Sequence, residues 1–404
     1  MNVLRKVFGD VDVSRDLLLL LLIGGLYSLS ISLSNTFVNI YLWKQSKEFF
    51  DLAVYNLAIV IFQPITFIIA GRWAKKVDRV IVLRFGVIFL ALFFIAVLLF
   101  GERSSEHLII LGGLLGIGYG FYWLAFNVLT FEITEPETRD FFNGFMGALT
   151  SVGGIIGPIS AGFIITRFTS NIGYTFIFAI SLFLFVAAVI TSFFINRRPA
   201  SGQYMFVKIF TERKKNTNWR LVTNAHLLQG LREGTFVFVI SVFIFVVTQN
   251  EFALGTYGLI NAGMAFIMYT LATRLIKKEK RKKIMVIGGL LLYLAISLVV
   301  FNITYPKLLV YGVLIGIAYP LMLVPYTSIT YDVIGKSWRA AEMRIEYIVV
   351  RELFLNMGRI ISVLAFIFAI TFFKASSSIP IFLLVVGIGH TIAAFMLTKV
   401  QVDV

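Results

Sequence analysis

The chain of 404 residues contains no cysteine, which removes disulfides, thiolate metal sites and cysteine nucleophiles from consideration. Its three histidines, His107, His226 and His390, are scattered, a poor basis for a histidine metal centre. There is no Gly-x4-Gly-Lys-Ser/Thr loop, so direct ATP coupling is not expected. Nor is there a His-Glu-x-x-His stretch or a Ser/His/Asp grouping of the kind an intramembrane enzyme would need, and no cofactor is called for. Charge is scarce as well: 14% of residues are charged, against about a quarter in soluble domains. What fills the space is apolar, with 59% hydrophobic residues and a mean hydropathy of +0.90. These values exclude an ordinary soluble domain and imply an integral membrane protein.

A spanning helix needs roughly 20 apolar residues. Twelve such runs are legible, over about 17–43, 50–71, 80–100, 108–131, 141–166, 172–195, 220–248, 252–274, 284–302, 308–331, 345–371 and 378–398. The first is too long for a signal-peptide core and has no small-residue cleavage site, so it reads as a retained span. Placing the N-terminus inside puts 27 of the 36 Lys and Arg on the inner side and 6 on the outer, with Arg232, Arg351 and Arg359 within spans. That asymmetry is the positive-inside pattern. The net charge of +15 therefore describes loops facing an anionic leaflet rather than a nucleic-acid surface. Both termini are expected in the cytoplasm, at the plasma membrane.

The sequence also overlies itself. At an offset of 200, residues 111–133 match 311–333 at Gly112, Leu114, Gly116, Ile117, Tyr119 and Thr130, and Glu132 meets Asp332. At an offset of 202, Lys75, Lys76, Arg79 and Gly86 meet Lys277, Lys278, Arg281 and Gly288. Two parallel six-helix repeats around a basic centre are the signature of a rocking-bundle transporter. The expected fold is an all-α integral membrane protein with 12 transmembrane helices in two six-helix pseudo-symmetric bundles, 1–196 and 220–404, joined by a cytoplasmic central loop, 197–219.

Two motifs make the chain resemble the major facilitator superfamily over essentially its whole length. In GRWAKKVDR (71–79), Gly71, Lys76 and Arg79 fit the pattern Gly-x-x-x-Asp-Arg-x-Gly-Arg, while Lys75 replaces the acid and Asp78 the second glycine. In the fifth span, Gly144, Gly153, Gly157, Pro158 and Gly162 reproduce Gly-x8-Gly-x3-Gly-Pro-x2-Gly-Gly with Ala161 as the one departure. That second pattern is similar to the one carried by drug–proton antiporters. Independently of any family, glycines four apart let helices approach and Pro158 removes a backbone bond and permits a bend. The segment is therefore either a pivot or a tight packing seam.

Ionisable groups inside hydrocarbon cost roughly 2.5–3.5 kcal/mol each on insertion scales and call for a reason. Span seven carries Gln229, Arg232 and Glu233. Span eleven carries Glu346, Arg351, Glu352, Asn356 and Arg359, with Glu352, Asn356 and Arg359 on one face and Arg351 about 100° away. Three Arg against three Glu suggests internal pairing, so these groups either line a cavity or lock two helices together. Span one presents a polar stripe, Ser28, Ser32, Asn35 and Asn39, suited to a wet cavity. The resemblance implies that spans one, four, seven and ten form the cavity wall. On that basis Tyr119, Trp123, Asn127, Tyr319 and Tyr326 join Asn35, Asn39, Arg232, Asn356 and Arg359 as substrate-cavity candidates. At the offset of 200, the glycine–proline segment of span five overlies the charged segment 351–359 of span eleven, so the duplicated position is pliable in one half and charged in the other.

A proton carrier must change charge in the working pH range. Arginine does not; glutamate, near 4.3 in water, is movable by burial. Glu233 and Glu352 are thus the proton-coupling candidates, and Gly71, Arg79 and the span-five glycines with Pro158 the gating ones. The reading is a monomeric secondary transporter that exports a small amphipathic compound against protons by alternating access. Import of an anionic solute, a lipid or glycolipid flippase, and a non-transporting scaffold or sensor are the alternatives. Reporter fusions after Lys283 and Val404 should read cytoplasmic and one after Arg103 external; an external reading at Val404 would mean an odd number of spans.

Overall fold

In a computed structural model the described residues are 14–133, 136–168, 171–198, 202–276, 278–300 and 303–401. Among them are twelve helices long and apolar enough to cross a membrane and no strand. Spans one to six are Arg15–Ser46, Phe49–Lys76, Arg79–Phe100, Leu108–Ile133, Pro136–Arg167 and Ile172–Ser192. Spans seven to twelve are Thr217–Thr248, Glu251–Leu275, Arg281–Val300, Tyr305–Gly335, Arg344–Phe372 and Ser377–Thr398. The shortest has 20 residues and at 1.5 Å per residue covers about 30 Å, the thickness of a bilayer's hydrocarbon. Leu99, Ile109, Phe183, Ile381 and Val385 point outward, each more than half exposed, as a lipid-facing surface requires.

Helix ends are set by local chemistry. Ser14, Asp78, Asn216 and Asn250 each turn a side-chain oxygen onto free N–H groups at the start of spans one, three, seven and eight. Asp78, which stands where the superfamily pattern has glycine, thereby gains a purpose: its carboxylate accepts from Val80 N at 2.7 Å and Ile81 N at 3.3 Å. Spans one and seven both end on a residue in the left-handed region, Lys47 (φ 56°) and Gln249 (φ 50°), 202 positions apart.

The duplication seen in the sequence recurs in space. Arg79 pairs with Glu132 at 2.8 Å, and its counterpart Arg281 with Asp332 at 3.2 Å. Gly86 lies against the backbone of Tyr122, and Gly288 against that of Met322. Gly116 packs on Ile59 and Gly316 on Asn261, again at the two offsets. Each half packs its members in the same pattern, span two on four and one on five, then eight on ten and seven on eleven. The halves meet where span five crosses eight and span two crosses eleven.

Small residues make these crossings possible. A Cβ on Gly157 would sit 2.7 Å from Ser32, and one on Gly255 2.4 Å from the carbonyl oxygen of Pro158. Gly162 meets the backbone of Glu251 in the same way, and Gly153 lies against Ser28. The surroundings of Gly144 are outside the described residues. Ser28 and Ser32, expected with Asn35 and Asn39 on a wet face, therefore serve the contact with span five instead. The stripe runs about 16 Å along span one, and span five crosses its Ser28–Ser32 end while the Asn35–Asn39 end opens onto the cavity.

Gly86→Val should cost about 1–3 kcal/mol through overpacking, because the added atoms meet the Tyr122 backbone within 2.6 Å. Gly147→Ala, which meets nothing within 4 Å, should cost nothing and raise stability by up to about 1 kcal/mol through helix propensity. Melting of the two purified variants in detergent checks the pair.

Candidate functional site

A cavity of about 850 Å³ lies between the two halves. Its two walls differ in kind. Spans one, two and four supply neutral amides, Asn35, Asn39, Asn56, Gln63 and Asn127, beside Tyr119 and Trp123. Several of these amides are linked: Asn56 Nδ2 donates to Asn39 Oδ1 at 3.0 Å, and Tyr119 Oη donates to Asn35 Oδ1 at 3.4 Å. Trp123 packs edge-on against Tyr27 at 5.3 Å and stays 37% exposed, so its indole is held but accessible.

The facing wall, from spans seven, ten and eleven, carries the charges. Spans seven and eleven approach until a Cβ on Gly358 would lie 2.0 Å from the Leu227 carbonyl oxygen, and one on Gly230 2.0 Å from that of Leu355. Thr235 and Ser362 share a hydrogen bond of 2.6 Å just beyond. This contact brings Glu233 Oε2 to 2.6 Å from Arg359 Nη2. The other oxygen, Oε1, accepts from Gln229 Nε2 at 2.8 Å and Tyr319 Oη at 3.0 Å, with His390 Nε2 at 3.9 Å. Arg351 turns to its chain neighbour Glu352 at 2.6 Å, and both line the cavity.

Of the cavity candidates, Asn35, Asn39, Tyr119, Trp123, Asn127, Arg232, Tyr319, Tyr326 and Arg359 do line it, as do Glu233 and Glu352. Asn356 does not. It is fully buried, donates to the Glu352 carbonyl at 2.9 Å and accepts from Arg359 at 3.4 Å, so it steadies the arginine from behind. Arg351, expected to face away, reaches the cavity because its long side chain outreaches a helical offset. Tyr257, Tyr311, Asn56, Gln63 and His226 also line the cavity. The spacing of amides at 56 and 63 on one span was the available signal for two of them. His390 sits beside Glu233.

Glu346 corrects the charge count. Fully buried at the start of span eleven, it bonds to Lys75 of span two, across the two halves. Lys75, at the position of the superfamily pattern's acid, is itself buried. The central loop closes over this pair: Met205 N donates to Glu346 Oε1 at 3.0 Å. Tyr204 covers Gly71, where a Cβ would lie 2.9 Å from its hydroxyl. Burial, reinforced by the Glu346 carboxylate, pushes the Tyr204 phenol's pKa up. At the opposite end a second pair crosses the halves: Glu251 accepts from Lys44 Nζ at 2.9 Å and from Tyr174 Oη at 2.8 Å. The cavity thus lies between two ion pairs, one at each end, each joining half to half.

The sequence pattern of the Major Facilitator Superfamily matches residues 20–345. The chain belongs to that superfamily. It is a multi-pass membrane transporter by family and fold. An uncharacterised Bacillus subtilis protein, YqgE, is 59% identical over 401 residues, covering 99% of this chain and 93% of that one. The Staphylococcus epidermidis proton-coupled antiporter flippase LtaA is 31% identical over 119 residues, 28% of this chain and 30% of that one. In structure, the human organic anion transporter MFSD10 superposes with a TM-score of 0.70 over 95% of this chain and 99% of that one, at 12% identity, which shows a shared fold.

Removing one partner of a buried pair leaves an uncompensated charge and typically costs about 3–5 kcal/mol. Lys75→Glu should therefore destabilise the protein strongly, and Lys75→Glu with Glu346→Lys should recover most of the loss. Melting temperatures of the single and double variants in detergent check this; no recovery would mean that the pair is not a unit.

Proposed function

We propose that the protein is a proton-coupled secondary transporter that exports a small amphipathic compound by alternating access. The observation that carries this reading is Glu233: a titratable carboxylate in the cavity wall whose ion-pair partner, Arg359, cannot give up its own proton. With Glu233 ionised, Arg359 is engaged at 2.6 Å. With Glu233 protonated, the ionic part of that bond is lost and Arg359 is free to attract substrate. The Glu233 carboxylate and the substrate then compete for Arg359, which ties substrate binding to the protonation state of Glu233. The aromatic residues Tyr119, Trp123, Tyr319 and Tyr326 suit the apolar portion of such a compound. The antiporter-type pattern of span five and the printed description of the staphylococcal relative as a proton-coupled antiporter support the same reading.

Alternating access needs the two ends to open in turn. The Lys75–Glu346 pair, with Gly71 and Arg79 nearby, closes the basic end, which faces the cytoplasm. The Lys44–Glu251 pair closes the other. Span five, bending at Pro158 and sliding over the glycines that face spans one and eight, is the pivot between them. The protein works as a monomer in the plasma membrane.

In proteoliposomes loaded with a pH-sensitive dye, amphipathic solutes that stabilise the purified protein should discharge an imposed pH gradient. Glu233→Gln should abolish that proton movement while leaving solute-for-solute exchange intact. Full proton movement in Glu233→Gln together with its loss in Glu352→Gln would transfer the carrier role to Glu352. Retention in both variants would end the proposal that these carboxylates couple transport.

A further inference from the structure

We infer that the exported compound carries an anionic group, and that Arg232 is the residue that binds it while Arg359 is engaged with Glu233. Within the cavity the carboxylates are committed: Glu233 to Arg359 and Glu352 to Arg351. With Glu346 taken by Lys75 at the basic end, the cavity holds three guanidinium groups and two carboxylates. Arg232 is the one left over. It is 5% exposed, yet among the described residues it has no carboxylate within 4 Å. Its Nε has no hydrogen-bond partner. Its remaining contacts are weak ones, the Tyr311 hydroxyl at 3.4 Å from Nη2 and the face of Phe236 at 4.5 Å from the guanidinium carbon.

A buried cation without a counter-ion is costly. An intramembrane arginine normally pairs or marks a substrate pathway, and this one faces the cavity. Its planar fork suits a carboxylate, phosphate or sulfate group. A second unmet need lies one turn away on the same helix. Gln229 Nε2 is spent on Glu233, but its buried Oε1 has no partner, so it would accept a hydrogen bond from a ligand hydroxyl. An anionic group with a hydroxyl beside it answers both. Across the cavity, the five amides and the accessible indole of Trp123 offer hydrogen bonds and a stacking face to an uncharged remainder. The ligand class is an amphipathic hydroxylated organic anion, with its charge towards spans seven and ten and its ring or hydroxyls towards spans one, two and four.

This assignment rests on the proposal that the cavity is the transported compound's site, and it needs no proton gradient to test. The full chain, purified in detergent, is melted in the presence of methylumbelliferyl glucuronide and, separately, its uncharged counterpart methylumbelliferyl glucoside. The two probes share a fused aromatic ring and a sugar and differ in one carboxylate. The glucuronide should stabilise the wild-type protein at about a tenfold lower concentration than the glucoside, the value of one charge-assisted hydrogen bond. Arg232→Gln should abolish that preference and Arg232→Lys should keep part of it. The comparison of probes on the wild-type protein stands even where a variant fails to fold. Equal or better stabilisation by the glucoside, no stabilisation by the glucuronide, or an unchanged preference in a folded Arg232→Gln protein would each overturn the assignment. Loss of proton coupling through Glu233 would leave the melting result untouched, so the two proposals fail separately.

Discussion

The chemistry of the cavity depends on how closely spans seven and eleven cross. Gly230 and Gly358 face the opposing backbone at distances that no side chain could occupy, and the absence of side chains there draws the helices together. Only at that separation do Glu233 and Arg359 meet at 2.6 Å while Tyr319 and Gln229 still reach the other carboxylate oxygen. In lipid, where apolar contact between helices gains little over contact with tails, such close packing and the hydrogen bonds it permits are the main source of association. A bulky residue at either glycine would separate the helices and also leave two charges without their partners. Packing and electrostatics at this crossing are one feature.

The two halves share a scaffold and divide its duties. Equivalent ion pairs, Arg79–Glu132 and Arg281–Asp332, equivalent glycine seats and equivalent left-handed helix ends show how far the duplication is kept at the periphery. At the cavity Tyr119 and Tyr319 still correspond, but one wall is otherwise neutral and the other charged. Span five and span eleven occupy corresponding places. One carries Gly153, Gly157 and Pro158 and packs closely on its neighbours, while the other carries Arg351, Glu352 and Arg359 and holds charge. A charged group needs a fixed partner in a low dielectric, whereas a glycine seam needs only small residues on its face. Each half thus keeps its own composition at the same place in the repeat.

Much of this was legible in the sequence because the membrane imposes simple rules. Length, hydropathy and the distribution of lysine and arginine mark out twelve spans, and two offsets disclose the repeat. The cavity wall was also largely readable, since polar and aromatic residues in hydrocarbon stand out. What the sequence hid was partnership. Glu346 looked like one more charge of span eleven, and only the fold reveals that its partner is Lys75, 271 positions away. Asn356 shares a face with Glu352 and Arg359 but turns into the protein, because a short side chain on a crowded helix face stays behind its longer neighbours. Arg351 shows the converse. Tyr257 and Tyr311 were not flagged because nothing local distinguishes a cavity tyrosine from a buried one.

The contact between Met205 and Glu346 has a consequence for how the central loop acts. The donor is a peptide N–H, and every residue except proline carries one. Substituting the Met205 side chain leaves that bond in place, so a survey by alanine replacement passes over it in silence. The loop is also the covalent strap between the halves, and its backbone rests on an acid that belongs to the far half. Any movement that parts Lys75 from Glu346 must either carry residues 202–205 along with span eleven or peel them away. The connector is therefore held to both halves, by its covalent ends and by a backbone bond that no side-chain substitution removes.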